Sequence, residues 1–263
     1  MVSACSSEPV EDDPGYNSTV IEDTSEKKDI LEKAQSAEED IYSMNSNTRA
    51  FQNMFGDQFN EEIVMSVVYT LMRQPLAGSA LVDMEALGQN TRFRMHFSED
   101  ATYLSNNPDT ENERWEKVTG DDHEEIIEDF KEEFSFVNFD VLLEHIDELT
   151  FADVDNYESD SEYYEVTFHG ESDIYHALIN EQNWIDESNQ PASVEEFTFT
   201  LSLEKGTYHP MSINTEMQGT LDFEGEVIQV SESMFTDISF INVHKDGDLD
   251  VPRKIKESVE AAE

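Results

Sequence analysis

Apolar and polar residues recur along this chain with two different periods, and each change of period marks an element. Ile30, Ala34, Ala37 and Ile41 fall at i, i+4, i+7 and i+11 with Leu31 beside them, which predicts one amphipathic helix. From Ser43 the period becomes two, and strands take over. Ile63, Met65, Val67, Tyr69 and Leu71 share a strand face that ends before Gln74-Pro75. Ala80, Val82, Met84 and Ala86 alternate with Asp83 and Glu85 up to a turn at Gly88-Gln89-Asn90. Phe93, Met95 and Phe97 then alternate with Arg92, Arg94 and His96. Residues 101–104 and 114–118 predict two short strands around a polar connection. The gaps are too short for parallel crossovers, so these strands are antiparallel neighbours. Ile126, Phe130 and Phe134 return to helical spacing with Ile127 adjoining, and Phe139, Leu142, Leu143, Ile146 and Leu149 form a second helical stripe. Beyond them Tyr164, Val166 and Phe168 line a strand, and a short helix follows over 172–180. Phe197, Phe199, Leu201 and Leu203 oppose a wet side of Thr198, Thr200, Ser202 and Glu204. Gly206 and Pro210 bracket a turn into Met211, Ile213, Thr215 and Met217. Strands over 226–230 and 234–241 and a closing helix opened by Pro252, with Ile255 and Val259, complete the pattern.

The order of helix, meander, helices, meander, helix predicts an α+β fold. Its natural packing is a large curved antiparallel sheet, a half-barrel, with helices on the concave face. Residues 25–263 read as a single domain, and 1–24 read as a polar, acidic, disordered tether. A chain of 263 residues is long enough to bury about three quarters of its unfolded surface. Charge narrows the function. With 15 basic against 61 acidic side chains the net charge is −46, which argues against nucleic acid as a partner, because phosphate binding needs clustered Lys and Arg. The same balance disfavours electrostatic docking on anionic headgroups. Carboxylates spread over the whole chain keep it hydrated, the pattern of a protein facing high salt or an alkaline medium. No apolar run approaches the length of about 18 residues that a spanning helix needs.

The lone cysteine, Cys5, follows Val2, Ser3 and Ala4 and precedes the acidic tract 8–15. One cysteine makes no intramolecular disulfide and no zinc site. Small residues before a cysteine, with a polar spacer after it, resemble the lipobox of bacterial lipoproteins, in which the cysteine carries a diacylglycerol. That resemblance implies lipidation of Cys5, a membrane partner reached through the anchor, and an extracytoplasmic location. No charged or apolar leader precedes the motif, so the signal sequence it implies either lies upstream of Met1 or has been removed. The competing reading is a chance thiol in a cytosolic tail.

Motifs for catalysis and metal binding are missing at their required spacings. The histidines at 96, 123, 145, 169, 176, 209 and 244 never pair as in HExxH; His169 and His176 flank a turn. Asp246, Asp248, Asp250 and Glu257 match a calcium loop at its first, third, fifth and twelfth positions, but Val251 stands where the sharp turn needs Gly and Lys254 stands at the ninth position. Runs such as Asp153-Val154-Asp155 read as solvated loops. There is no nucleophile elbow, Walker loop or dinucleotide fingerprint. No cofactor and no reaction is expected.

Taken in order, several segments resemble the LolA/LolB-like superfamily, which includes the LppX and LprG lipoproteins, and more closely its uncharacterised LolA-like members in Bacillus-type bacteria. The carriers are 30–34 through 42–44, then 83–89, 101–104 and 115–118. Gly206-Thr207-Tyr208-His209-Pro210-Met211, and Phe240-Ile241-Asn242 through Val251-Pro252, complete the set. The resemblance implies a half-barrel closed by helices around an apolar cavity that carries a lipid or lipoprotein, with no catalytic residue to transfer. Met65, Val82, Met84, Met95, Phe97, Val166, Phe168, Phe199, Leu201 and Met217 are the expected cavity lining, since thioethers adapt to varied apolar partners. Trp115 and Trp184 are candidate ligand contacts. The alternative is a partner-binding or sensory lipoprotein whose core is filled.

Overall fold

The structure is a computed structural model that describes residues 16–56, 60–110, 113–132, 137–156, 161–170, 173–179, 193–223 and 226–260. Cys5 and Trp184 lie outside the described residues.

Two meanders meet in one sheet. The first comprises β2 (Ser43–Phe55), β3 (Asn60–Arg73), β4 (Leu76–Ala86), β5 (Gln89–Ser98), β6 (Ala101–Asn106) and β7 (Arg114–Val118). The second comprises β8 (Thr150–Asn156), β9 (Ser161–Gly170), β10 (Ser193–Glu204), β11 (Pro210–Phe223) and β12 (Glu226–Ser239), with β1 (Tyr16–Ile21) added alongside β8. The spatial order is β1-β8-β9-β10-β11-β12-β2-β3-β4-β5-β6-β7, a curved, unclosed, twelve-stranded sheet that is antiparallel throughout. Strands β12 and β2 join the two meanders, pairing Glu232 with Gln52 and Thr236 with Thr48.

Local chemistry sets the elements. Helix α1 (Thr24–Glu39) starts where the Asp23 carboxylate accepts hydrogen bonds from the backbone N–H groups of Ser25 and Glu26, and it buries Ile30, Leu31 and Ala34. The β4–β5 connection is the two-residue turn Leu87-Gly88, with φ of 52° and 68°; positive φ at both positions is the geometry whose twist matches the flanking strands. Helices α2 (Asp121–Glu132), α3 (Phe139–Glu144) and α4 (Asp173–Ile179) join α1 on one side of the sheet. Phe130 of α2 stacks on Phe97 at 4.3 Å, and Tyr175 of α4 meets Phe197 edge-on at 5.1 Å. The main core lies in this layer.

Several sequence expectations change here, and the strands read over 226–230 and 234–241 are the single strand β12. Residues 16–21, read as tether, form β1: Ile21 pairs with Phe151 and is buried. Asp153-Val154-Asp155 is not a loop but the middle of β8. Val154 is fully buried, and Asp153 and Asp155 hold the Lys205 ammonium. Helix α5 (Arg253–Glu260) does not join the others. It covers the opposite face at β6 and β7, where Val251, Ile255 and Val259 pack with Ala101, Tyr103 and Trp115. Trp115 is therefore a packing residue, its ring 5.5 Å from that of His96 and tilted 46° to it.

Candidate functional site

Strand pairing puts the ten expected lining residues on the helix-bearing face of the sheet, in two groups. Val166 pairs with Leu201 and Phe168 with Phe199, and Met217 pairs with Phe197; all of these are buried. Across β12 and β2 lies the second group, Met65, Val82, Met84, Met95 and Phe97 on β3 to β5. Burial grades along this second group. The row Leu71–Gly78–Phe97 is fully covered, with Leu71 and Phe97 at 0% exposure. One row on, Ala80 is buried and its partner Met95 is half-buried. Two rows further, Met65 is half-buried and its partner Met84 is 36% exposed. Ile63 and Phe93 are half-buried on the same face. The apolar floor thus runs out from beneath the helices toward the β4–β5 turn, whose Leu87 is 75% exposed.

Between the two groups, polar cross-strand pairs interrupt the apolar face of β12 and β2. The hydroxyls of Thr48 and Thr236 share a hydrogen bond of 2.9 Å, and the Gln52 amide donates to Glu232 at 3.3 Å. Burial pushes the Glu232 carboxyl up to about 7, against the Gln52 hydrogen bond, which pulls the other way. Tyr175 on α4 feels the same carboxylate: burial, then the Glu232 charge, raises its phenol. The sequence carried a signal for Glu232, because it interrupts the alternating apolar register of Val230, Met234 and Ile238. Gln52 and Tyr175 had none.

The opposite face of β10, β11, β12 and β2 holds a groove of about 200 Å³ lined by Phe51, Asn53, Thr198, Gln218, Ser231 and Ser233, with Glu196 and Glu216 among its walls. Of these only Thr198 read in the sequence as the wet side of a strand, and Ser231 and Ser233 fell between the strands read over 226–230 and 234–241, so periodicity gave no hint that they converge. His169, on the same face, shares a hydrogen bond of 2.9 Å with Thr198. Among the described residues no group of three or more His, Cys, Asp or Glu side chains is placed to hold a metal ion. No helix of the described residues is long and apolar enough to cross a membrane.

Residues 26–260 match the family described as a family of unknown function, DUF6612. The chain belongs to this family. The match takes in β2 to β12 and all of α1 but its first two residues, and so the apolar floor and the groove behind it. No curated protein matches the chain. Among solved structures, the DUF6612 chain is similar to LprF from Mycobacterium bovis at 10% identity, over 84% of this chain and 95% of that one, with a TM-score of 0.42. It is also similar to the lipoprotein LppX from Mycobacterium tuberculosis at 13% identity, over 85% of this chain and 99% of that one, with a TM-score of 0.41.

Proposed function

We propose that this DUF6612 protein is a non-catalytic, extracytoplasmic lipoprotein, anchored through Cys5, that binds a lipid or other apolar ligand on the helix-bearing face of its sheet. The carrying observation is the graded floor of β3 to β5. Ile63, Met65, Met84, Phe93 and Met95 form a continuous apolar surface that the described helices leave half covered. A soluble domain that only needed a core would hide this surface or make it polar, since large exposed apolar patches mark interaction sites. Methionine suits a loosely specified ligand because its thioether follows irregular shapes. Affinity comes from apolar area removed from water, about 25 cal/mol per Å², less the cost of ordering the ligand.

Native mass spectrometry of the domain from residue 16 onward, purified without detergent, tests this reading. The expected result is discrete added mass that leaves as lipid on activation. Met84→Gln with Met95→Gln makes the half-covered floor polar without setting like charges against each other, and is expected to remove most of the added mass while the fold is kept, with a modestly lower thermal midpoint. A bare mass that stays bare after incubation with envelope lipids favours the second reading, a filled core with a protein partner. That reading is supported at the other end of the same face, where Val166, Phe199, Leu201 and Met217 are tightly buried.

A further inference from the structure

The groove on the face opposite the helices has a composition that lipid binding does not use. Its residues form two rows in register across four strands. One row is Phe51–Ser233–Glu216–Thr198 and the other is Asn53–Ser231–Gln218–Glu196. Rows two residues apart lie about 7 Å from each other, and four strands span about 14 Å. Phe51 and Thr198 are of the aromatic or β-branched type that exposed strand positions favour; the other six are not. Small serines at the centre of the sheet, flanked by larger side chains on both sides, produce the hollow.

The backbone is also built irregularly at this corner. The β10–β11 register shifts between Val194 and Glu196, a bulge that bends the strand and re-aims its side chains beside Glu196. Facing it on β11 is Gly219, where a Cβ would lie 2.2 Å from the carbonyl oxygen of Ser193, so the two strands approach closely only because that position has no side chain. Bulges of this kind recur next to binding and active sites.

The chemistry selects the ligand. Two amides (Asn53, Gln218) and three hydroxyls (Thr198, Ser231, Ser233) both donate and accept, while the two carboxylates accept only. Phe51, 47% exposed, adds an apolar platform at one side. The lining includes no Lys or Arg, which disfavours phosphate or sulfate, and the polar rows disfavour an acyl chain. What matches alternating donors and acceptors beside a flat apolar surface is a ring with hydroxyls around its edge and C–H bonds on its face. We propose that this groove is a saccharide-binding subsite. At about 200 Å³ it falls below the range of roughly 300–1,000 Å³ typical of drug-sized pockets, so it holds one sugar ring, as a unit of a longer chain crossing the strands. The inference is independent of lipid binding, because the two sites lie on opposite faces.

The test is titration of the ¹⁵N-labelled chain with cellotetraose and with chitotetraose, followed by amide chemical shifts, with spermine as a cationic control. The expected result is saturable shifts confined to 51–53, 196–198, 216–218 and 231–233 with at least one tetrasaccharide. Phe51→Ala, and separately Ser233→Leu, which fills the hollow, should each weaken Kd by about tenfold or more with the spectrum otherwise unchanged. Absence of saturable shifts with both sugars overturns the proposal. So do shifts that survive both substitutions, or a response to spermine alone, which would mark the groove as a cation-binding surface.

Discussion

At the scale of single residues, two side chains sit where folding alone would not put them. Leu87 has a left-handed backbone, which a branched apolar residue adopts at a cost of about 1–2 kcal/mol, and its side chain is mostly in water. Leu87→Asn should raise stability by about 0.5–1 kcal/mol in urea denaturation, since Asn tolerates this turn position. If Leu87 belongs to the entrance of the apolar floor, the same variant takes up less lipid, so stability and uptake move in opposite directions. Glu232 is the second. A carboxyl ordinarily near 4.5 and pushed to about 7 keeps a proton in the folded chain that the unfolded chain has already released. Stability therefore falls as pH rises from about 4.5 to about 7, and the loss persists above that window. His96 acts in the opposite sense: burial, then Arg94 and Lys254, lower it from 6.5 to about 4, so its contribution grows as pH rises between those values. Thermal midpoints of the wild type and Glu232→Gln, compared across this range, cancel the His96 part. The gap between the two proteins should widen with pH, and a constant gap would show that Glu232 titrates as an ordinary exposed carboxylate.

At the scale of elements, the β10–β11 pair depends on Gly219. Gly219→Ala should destabilise by about 1–3 kcal/mol through the clash with Ser193, read as a lower urea midpoint with the slope preserved. What the sequence revealed about elements followed from how many residues repeated the pattern. Strands such as β3, β4, β5 and β10 carry three to five apolar residues at period two, and the structure has them with the expected faces inward. β1 and β8 carry too few. In β8 the acidic pair around Val154 looks like a loop, because its neutralising partner, Lys205, stands 50 positions away and no local pattern points to it. The floor of the candidate site was legible in Met65, Met84 and Met95, whose alternation was unbroken. The polar pairs at β12–β2 and the groove behind them were not. Both arise from cross-strand register, which brings Gln52 to Glu232 and Phe51 to Ser233, and register between residues 180 or more positions apart leaves no trace in either segment alone.

At the scale of the whole molecule, charge is unevenly spread. Seven of the fifteen Lys and Arg residues (Arg92, Arg94, Arg114, Lys117, Arg253, Lys254, Lys256) stand on β5, β7 and α5, which leaves the rest of the surface still more acidic than a net −46 implies. Self-repulsion of this size is relieved by screening, whose range shrinks from about 10 Å at 0.1 M salt to about 3 Å at 1 M. Sodium chloride should therefore raise the thermal midpoint over that range, by roughly 2–4 °C for each kcal/mol of repulsion removed. A midpoint that is flat in salt would mean that local ion pairs already balance the surface. The seam between β12 and β2 also imposes an order in time. Residues 43–118 can close hairpin upon hairpin as they emerge, yet β2 keeps one bare flank until the last strand, 226–239, has been delivered. The hollow of Phe51, Asn53, Ser231 and Ser233, and the pairing of Gln52 with Glu232, come into being only with that final addition. A ribosome that stopped at residue 225 would release two half-sheets, each complete in its own hairpins and neither able to form the groove or the Gln52–Glu232 pair.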